Sequence, residues 1–182
     1  MTTACPQDVL DFWFKEINPE SWWSAEPAFD ETIRNRFGEI LQNASFGECF
    51  AWRTEASGRL AEIIVLDQFS RNIHRGNARA FAQDAMALAL AQEAVASNQQ
   101  LGLSATECSF LLLPYMHSES AIIHLEAEAL YRQYAPESNY KFELRHKATI
   151  DRFGRYPHRN EILGRPSSPE ELEFLKQPGS GF

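Results

Sequence analysis

Hydrophobic residues recur along most of this chain at intervals of three and four, the spacing of one face of an α-helix. The first such segment is predicted as a helix from Pro6 to Ile17, because proline suits a first helical turn and Asn18-Pro19 ends the pattern. Apolar and polar residues nowhere alternate for long enough to predict a strand, and no Asn-Gly or Asp-Gly hairpin turn appears. The pattern therefore predicts an all-α protein.

Further helices are predicted from the same spacing together with turn and capping signals. The second helix runs through Phe29, Ile33, Phe37, Ile40 and Leu41, a short third segment contains Trp52, and the fourth helix extends from Ser57 to Asn72. An alanine-rich fifth helix is capped by Asn77, and a sixth begins with a capping box of Ser104 and Glu107 and is interrupted by Pro114. The seventh helix extends from Glu119 to Tyr134, the eighth from Glu137 to Phe153, and a short last helix is capped by Ser168. Short helices with brief loops favour antiparallel neighbours, so we expect a helix-hairpin array in a single domain over residues 1–182.

The fourth helix carries polar residues on its apolar face. Leu60, Ile64, Asp67, Arg71 and His74 follow 4-3-4-3 spacing and so share one side of a helix. An unpaired buried charge costs on the order of several kcal/mol, so these groups must pair with each other, with other polar residues or with a ligand. A purely structural ion pair between Asp67 and Arg71 is the alternative to a binding site.

Two other polar runs lie at predicted bends, where side chains can converge on a ligand. In the first, His117 could act as a general acid or base near neutral pH, oriented by Glu119 or Asp67. The alternative is that Ser118 and Glu119 only cap the following helix, whose positive end favours both residue types. The second run spans residues 155–160, Arg-Tyr-Pro-His-Arg-Asn.

The charge of the chain restricts its partners. A net charge of −8 over 182 residues argues against general nucleic-acid binding, because phosphate backbones attract clustered cations. Between Arg145 and Arg165, however, six Arg and Lys residues face two acidic residues. This cationic segment could hold a phosphate or carboxylate, or it could simply balance acidic neighbours on a solvated face.

Cysteine usage and the absence of known motifs narrow the classes further. Cys5, Cys49 and Cys108 are odd in number and widely spaced, which predicts neither disulfides nor a zinc cluster and fits a reducing cytoplasm. No signal-peptide pattern or membrane-length apolar run is found, and the HExxH, GxSxG, GxxxxGK[ST] and GxGxxG motifs are absent. We therefore predict no cofactor and no metal, although Asp67, His117, Glu119 and His158 include metal-ligand types.

The order of these polar runs carries a family resemblance. The runs are Leu66-Asp67-Gln68-Phe69-Ser70-Arg71-Asn72-Ile73-His74-Arg75-Gly76, then Ala80-Phe81-Ala82-Gln83-Asp84, then His117-Ser118-Glu119, and finally residues 152–160, Arg-Phe-Gly-Arg-Tyr-Pro-His-Arg-Asn. Together they resemble the DUF924 family, mostly bacterial proteins of unknown function in the tetratricopeptide-like all-helical superfamily. The resemblance extends from Val9 to Leu175 and implies that fold, but it transfers no catalytic role. One departure is His124, where family members often carry Gln.

These observations predict a helical domain that binds a small anionic ligand in a polar pocket between helices. The predicted ligand-binding residues are Asp67, Gln68, Arg71, Asn72, His117, Glu119, Arg155, His158 and Arg159, and the candidate catalytic residues are His117, Glu119 and Asp67. Two alternatives remain open: a hydrolase or group-transfer enzyme that uses the three candidate catalytic residues, and a tetratricopeptide-like module that binds a peptide or protein. We expect neither nucleic acid nor membrane as a partner, and the oligomeric state is not predicted.

Overall fold

The computed structural model describes residues 4–181, and within them the regular structure is helical throughout. The α-helices are α1 (Pro6–Asp11), α2 (Pro27–Ser45), α3 (Ala56–Ile64), α4 (Ser70–Ile73), α5 (Asp84–Ala96), α6 (Ala105–Met116), α7 (Ala121–Tyr134), α8 (Glu137–Phe153) and α9 (Pro169–Leu175). Short 3₁₀ turns at Pro19–Trp23, Phe50–Thr54, Ala78–Phe81, Gln99–Gly102 and Pro157–Arg159 connect them. The all-α prediction is confirmed.

Two of the predicted helices are longer than one regular α-helix because each contains a wide turn. The predicted helix from Pro6 to Ile17 is α1 followed by a π-helical turn at Phe12–Glu16. The predicted helix from Ser57 to Asn72 is α3 and α4 joined through a second π-helical turn at Val65–Phe69. The extent of both segments was predicted from the sequence, but their regular α-helical geometry was wrong. A π turn accommodates one extra residue and often accompanies a functional site.

Three predicted helix boundaries differ from the structure. Asn77 does accept a hydrogen bond from the Arg79 amide, but it opens the 3₁₀ turn, and α5 begins only at Asp84. The helix predicted from Glu119 begins at Ala121, and its N-cap residue Ser120 makes no side-chain capping bond. Pro114 lies within α6, so it does not interrupt the helix where it stands. It removes one backbone donor, and the helix ends two residues later at Met116.

The core forms around α3 and its continuation. Leu60, Ile63 and Leu66 are completely buried, as predicted for a central helix that is apolar nearly all round. α1, α2, α5 and α6 pack against this segment, and α7 packs in turn against α6 and α8. Trp13 is fully buried, and its indole N–H has no hydrogen-bond partner within residues 4–181, whereas the Trp22 indole N–H donates to the Trp13 carbonyl.

The same packing brings three parts of the chain toward the π turn at Val65–Phe69. They are α6, the loop before α7 and the loop after α8. In the described part of the chain, none of the helices combines the length and apolar character needed to cross a membrane.

Candidate functional site

Asp67 is the centre of the candidate site. It lies in the π turn at Val65–Phe69, and its side chain is 1% exposed. Its Oδ1 atom is 2.8 Å from His117 Nδ1 and 3.1 Å from Arg71 Nη1, and its Oδ2 accepts a 2.6 Å hydrogen bond from the Gln68 amide. Burial raises the pKa of Asp67, but the charge of Arg71 and the hydrogen bonds from His117 and Gln68 outweigh it and hold the pKa well below its usual range. Asp67 is therefore a buried, ionised carboxylate.

Arg71 links Asp67 to a second carboxylate. Its guanidinium donates to the Asp67 backbone carbonyl at 2.8 Å and to both oxygens of Asp84, at 2.9 and 3.0 Å. Asp84 is the first residue of α5, and the 3₁₀ turn before that helix directs it toward the central segment. A bidentate Arg–carboxylate pair fixes the orientation of both groups. The ion pair predicted between Asp67 and Arg71 is thus one half of an arrangement that also contains Asp84.

Arg159 approaches the same carboxylate from the loop after α8. The residue is only 6% exposed, and its guanidinium lies between the rings of Phe81 and Tyr156, 4.7 and 4.6 Å from their centroids. Its Nη1 is 3.4 Å from Asp84 Oδ2, a long contact, and its buried Nε has no hydrogen-bond partner within residues 4–181. Burial and the charge of Arg71 lower the pKa of Arg159. Arg159 therefore has spare capacity to donate to an anion.

His117, the residue after α6, occupies the solvent side of the cluster, with 14% of its side chain exposed. Because Asp67 is ionised and can only accept, the contact requires a proton on His117 Nδ1. Burial and the charge of Arg71 lower the pKa of His117 despite the opposing effect of Asp67. At neutral pH its Nε2 then carries a lone pair, and this atom has no hydrogen bond to residues 4–181.

Glu119 and His158 lie beside this cluster. Glu119 accepts hydrogen bonds from Arg165, at 2.6 and 3.0 Å, and from the Tyr156 amide at 2.8 Å. Burial raises the pKa of Glu119, but these hydrogen bonds and the charges of Arg165 and Arg159 outweigh that effect and lower the pKa below its usual value. His158 packs beside the ring of Tyr156, and burial first, then the charge of Arg159, lowers its pKa to about 4. Glu119 therefore holds the loop that carries Arg159, and both its oxygens are engaged away from His117.

Beneath the site lies a buried pair of His124 and Glu143, neither of which is exposed. His124 Nδ1 is 2.7 Å from Glu143 Oε1, and its Nε2 is 2.9 Å from the Ser118 carbonyl and 3.2 Å from the Tyr156 hydroxyl. Since the carbonyl can only accept, Nε2 must carry a proton. His124 therefore does not line the site but supports the loop that carries His117.

Two predicted ligand-binding residues lie in other clusters. Asn72 donates to Asp30 of α2 at 2.8 Å, and Arg75 pairs with the same carboxylate. Arg155 makes a bidentate pair with Glu171, through its Nε at 2.6 Å and its Nη2 at 2.8 Å. The hydrogen bonds of Asn72 and Arg155 join elements of the fold to one another and do not reach the Asp67 cluster. His146 lies outside the site: it is buried and donates to the Phe142 carbonyl.

Sequence reasoning brought together Asp67, Gln68, Arg71, His117 and Arg159, but it did not select Asp84 or Phe81 as site residues. Both residues belong to the run from Ala80 to Asp84, which is one of the runs that carry the family resemblance. Membership of that run was the one feature of the sequence that could have identified them. Helical spacing could not reveal them, because Asp84 lies 13 residues from Arg71 and reaches it through the 3₁₀ turn.

The cluster lies between the core and solvent, since Asp67 is buried whereas Arg71, His117 and Asp84 are partly exposed. Clefts of about 400 and about 310 Å³ lie elsewhere, the first beside Cys49 and Trp52 and the second beside Arg145 and Phe174. Over the described residues, no group of three or more His, Cys, Asp and Glu is arranged to hold a metal ion.

Comparison with known proteins supports the family resemblance. Residues 9–179 match the family model described as bacterial protein of unknown function (DUF924). The solved structure of the protein of unknown function ATU0120 from Agrobacterium tumefaciens is 33% identical to this chain, with a TM-score of 0.89. The match covers 94% of this chain and 96% of that one. No curated protein matches the chain.

Proposed function

Because this chain belongs to the DUF924 family, which is described as of unknown function, we propose a function from the chemistry of its site. The site binds a small phosphate or carboxylate anion. Arg159 and Arg71 would hold the anion, with His117 at its edge. The observation that supports this proposal most directly is the Nε of the buried Arg159, which has no hydrogen-bond partner among residues 4–181. A buried donor without an acceptor costs about 1–3 kcal/mol, and a bound anion would remove that cost.

The charge arrangement supports the same proposal. Arg71 already donates to both oxygens of Asp84, and the contact of Arg159 with the same carboxylate is long, at 3.4 Å. Asp84 therefore gives Arg159 only a weak hydrogen bond in this arrangement. An added anion would accept from Arg159 while leaving the pair of Arg71 and Asp84 intact.

The exposure of the cluster gives the ligand access. The side chains of Arg71, His117 and Asp84 are 19%, 14% and 22% exposed. A small anion could therefore reach them from solvent without an enclosed cavity. The tetratricopeptide-like array of antiparallel hairpins, and the peptide or protein binding that such an array would favour, stay predictions.

Titration calorimetry with inorganic phosphate and with succinate tests anion binding. We expect Arg159→Lys, which keeps the charge but loses Nε and the planar fork, to weaken binding of the preferred anion by about 10-fold or more, because charge-assisted hydrogen bonds contribute about 1.5–3 kcal/mol. Arg155→Lys is the matched control, since its guanidinium is already paired with Glu171. Undetectable binding to the wild-type protein, or equal losses in the two variants, would contradict the proposal.

A further inference from the structure

The imidazole of His117 is arranged as a nucleophile rather than only as a hydrogen-bond donor. Its Nδ1 donates to a carboxylate that is itself almost completely buried, which fixes both the ring orientation and the tautomer. Its Nε2 carries the lone pair and is unpartnered within the described chain. Histidines oriented in this way can attack an electrophile and form a covalent intermediate.

The surroundings of His117 indicate which electrophile would suit it. Asp67 Oδ1 contacts both His117 Nδ1 and Arg71 Nη1, and Asp84 Oδ2 contacts both Arg71 and Arg159. The imidazole and the two guanidinium groups therefore belong to one hydrogen-bonded network. A carboxylate held by arginines is a poor electrophile, whereas a phosphoryl group carries its electrophilic phosphorus within the anion. Guanidinium groups also stabilise the charge that develops on phosphoryl oxygens during transfer.

We propose that His117 Nε2 accepts the phosphoryl group of a phosphate monoester held by Arg159 and Arg71, and then transfers it to water. This inference rests on the proposed anion site and adds a reaction to it. The Nε2 lone pair forms the nitrogen–phosphorus bond as the bond from phosphorus to the leaving oxygen breaks. The leaving oxygen keeps that electron pair and takes a proton from water, which releases the alcohol.

Hydrolysis of the intermediate completes the cycle. Water attacks phosphorus, the nitrogen–phosphorus bond breaks, and its electron pair returns to Nε2 while the proton of the attacking water passes to solvent. The net reaction consumes one ester and one water and produces one alcohol and inorganic phosphate. While phosphorylated, the ring is a cation with its proton still on Nδ1, so the Asp67 carboxylate at 2.8 Å stabilises it directly.

Phosphoramidate is the probe, because it transfers a phosphoryl group to imidazole nitrogen and releases ammonia. Intact-protein and peptide mass spectrometry should find one added phosphoryl group on His117, labile in acid and stable in alkali. His117→Asn should abolish the adduct, and Asp67→Asn should reduce its rate of formation by at least about 10-fold, since a neutral amide does not balance the imidazolium. His74→Asn is the control, and we expect it to leave the rate unchanged.

A second measurement uses the wild-type protein alone, in case Asp67→Asn does not fold. Long-range ¹H–¹⁵N spectra should show His117 at pH 7 as the neutral tautomer with its proton on Nδ1. If phosphate binds but His117 carries no adduct, or if the adduct forms on another residue, the phosphoryl-transfer inference fails while the anion-binding proposal stands. If neither phosphate nor succinate binds and no adduct forms, both fail. A proton on Nε2 would likewise overturn the inference.

Discussion

The pairing of Glu62 with Arg53 shows how strongly a single buried charge depends on its partner. Glu62 is completely buried on α3, and both its oxygens accept from Arg53, at 2.7 and 2.8 Å. The Arg53 side chain is 29% exposed, so the pair forms a boundary between the core and solvent. Removing one member of a buried pair leaves an uncompensated charge, whereas removing both does not.

We therefore predict that Arg53→Met lowers the free energy of unfolding by about 3 kcal/mol, and that adding Glu62→Met recovers most of this loss. Urea unfolding at pH 7 measures both. Lys141→Met is the control, because its pair with Glu137 has side chains that are 69% and 76% exposed, and such pairs contribute at most about 1 kcal/mol. Equal losses for Arg53→Met and Lys141→Met would refute the prediction.

At the scale of elements, the contact between α3 and the 3₁₀ turn at Phe50–Thr54 depends on a glycine. A Cβ atom at Gly58 would lie 2.1 Å from the Trp52 carbonyl oxygen, which belongs to the backbone and cannot rotate away. Gly38 in α2 has no atom within 4 Å of the equivalent position. The two helical glycines therefore have opposite roles, one permitting close packing and the other only adding flexibility.

We expect Gly58→Ala to lower the free energy of unfolding by about 1–3 kcal/mol through overpacking. Gly38→Ala should raise it by about 0.5–1 kcal/mol, because alanine favours the helix over the unfolded chain. Thermal and urea unfolding of the two variants provide the comparison. A stabilising effect of Gly58→Ala would show that α3 and the turn can separate without cost.

The elements were predicted well from sequence because caps and apolar spacing are local properties. Ser104 and Ser168 form capping boxes with Glu107 and Glu171, as their spacing indicated. The site was predicted only in part, since the contact between His117 and Asp67 spans 50 residues and depends on how α6 packs against the central segment. The π turns were missed because the extra residue leaves no distinct signal in the hydrophobic spacing.

For the molecule as a whole, buried neutral histidines make stability depend on pH. His146 is buried, donates to the Phe142 carbonyl and contacts the Tyr156 ring edge-on. Burial is the largest effect and lowers its pKa from 6.5 to about 3, although the hydrogen bond to the Phe142 carbonyl opposes this shift. The unfolded chain therefore binds a proton that the folded protein excludes, so this contribution to stability is full above about pH 6.5 and declines as the pH falls toward 3.

Lowering the pH from 7 to 5 should reduce the free energy of unfolding of the wild-type protein. We predict that this reduction is about 2 kcal/mol smaller in the His146→Phe variant. Phenylalanine keeps a ring against Tyr156 but cannot bind a proton. Urea unfolding at both pH values measures the difference, and comparing slopes with pH cancels any loss from the substitution itself. Identical pH dependence in the two proteins would mean that His146 is protonated in the folded state.

The wide turn at Val65–Phe69 has a consequence for how this chain can vary. A regular α-helix advances by about 100° per residue, so losing Gln68 or Phe69 would swing Arg71 about a quarter of the circumference away from Asp84 while leaving Asp67 in place. Substitutions in this segment change only a side chain, but a deletion would misalign every later group on the helix at once. Natural variation here should therefore alter identity and conserve length.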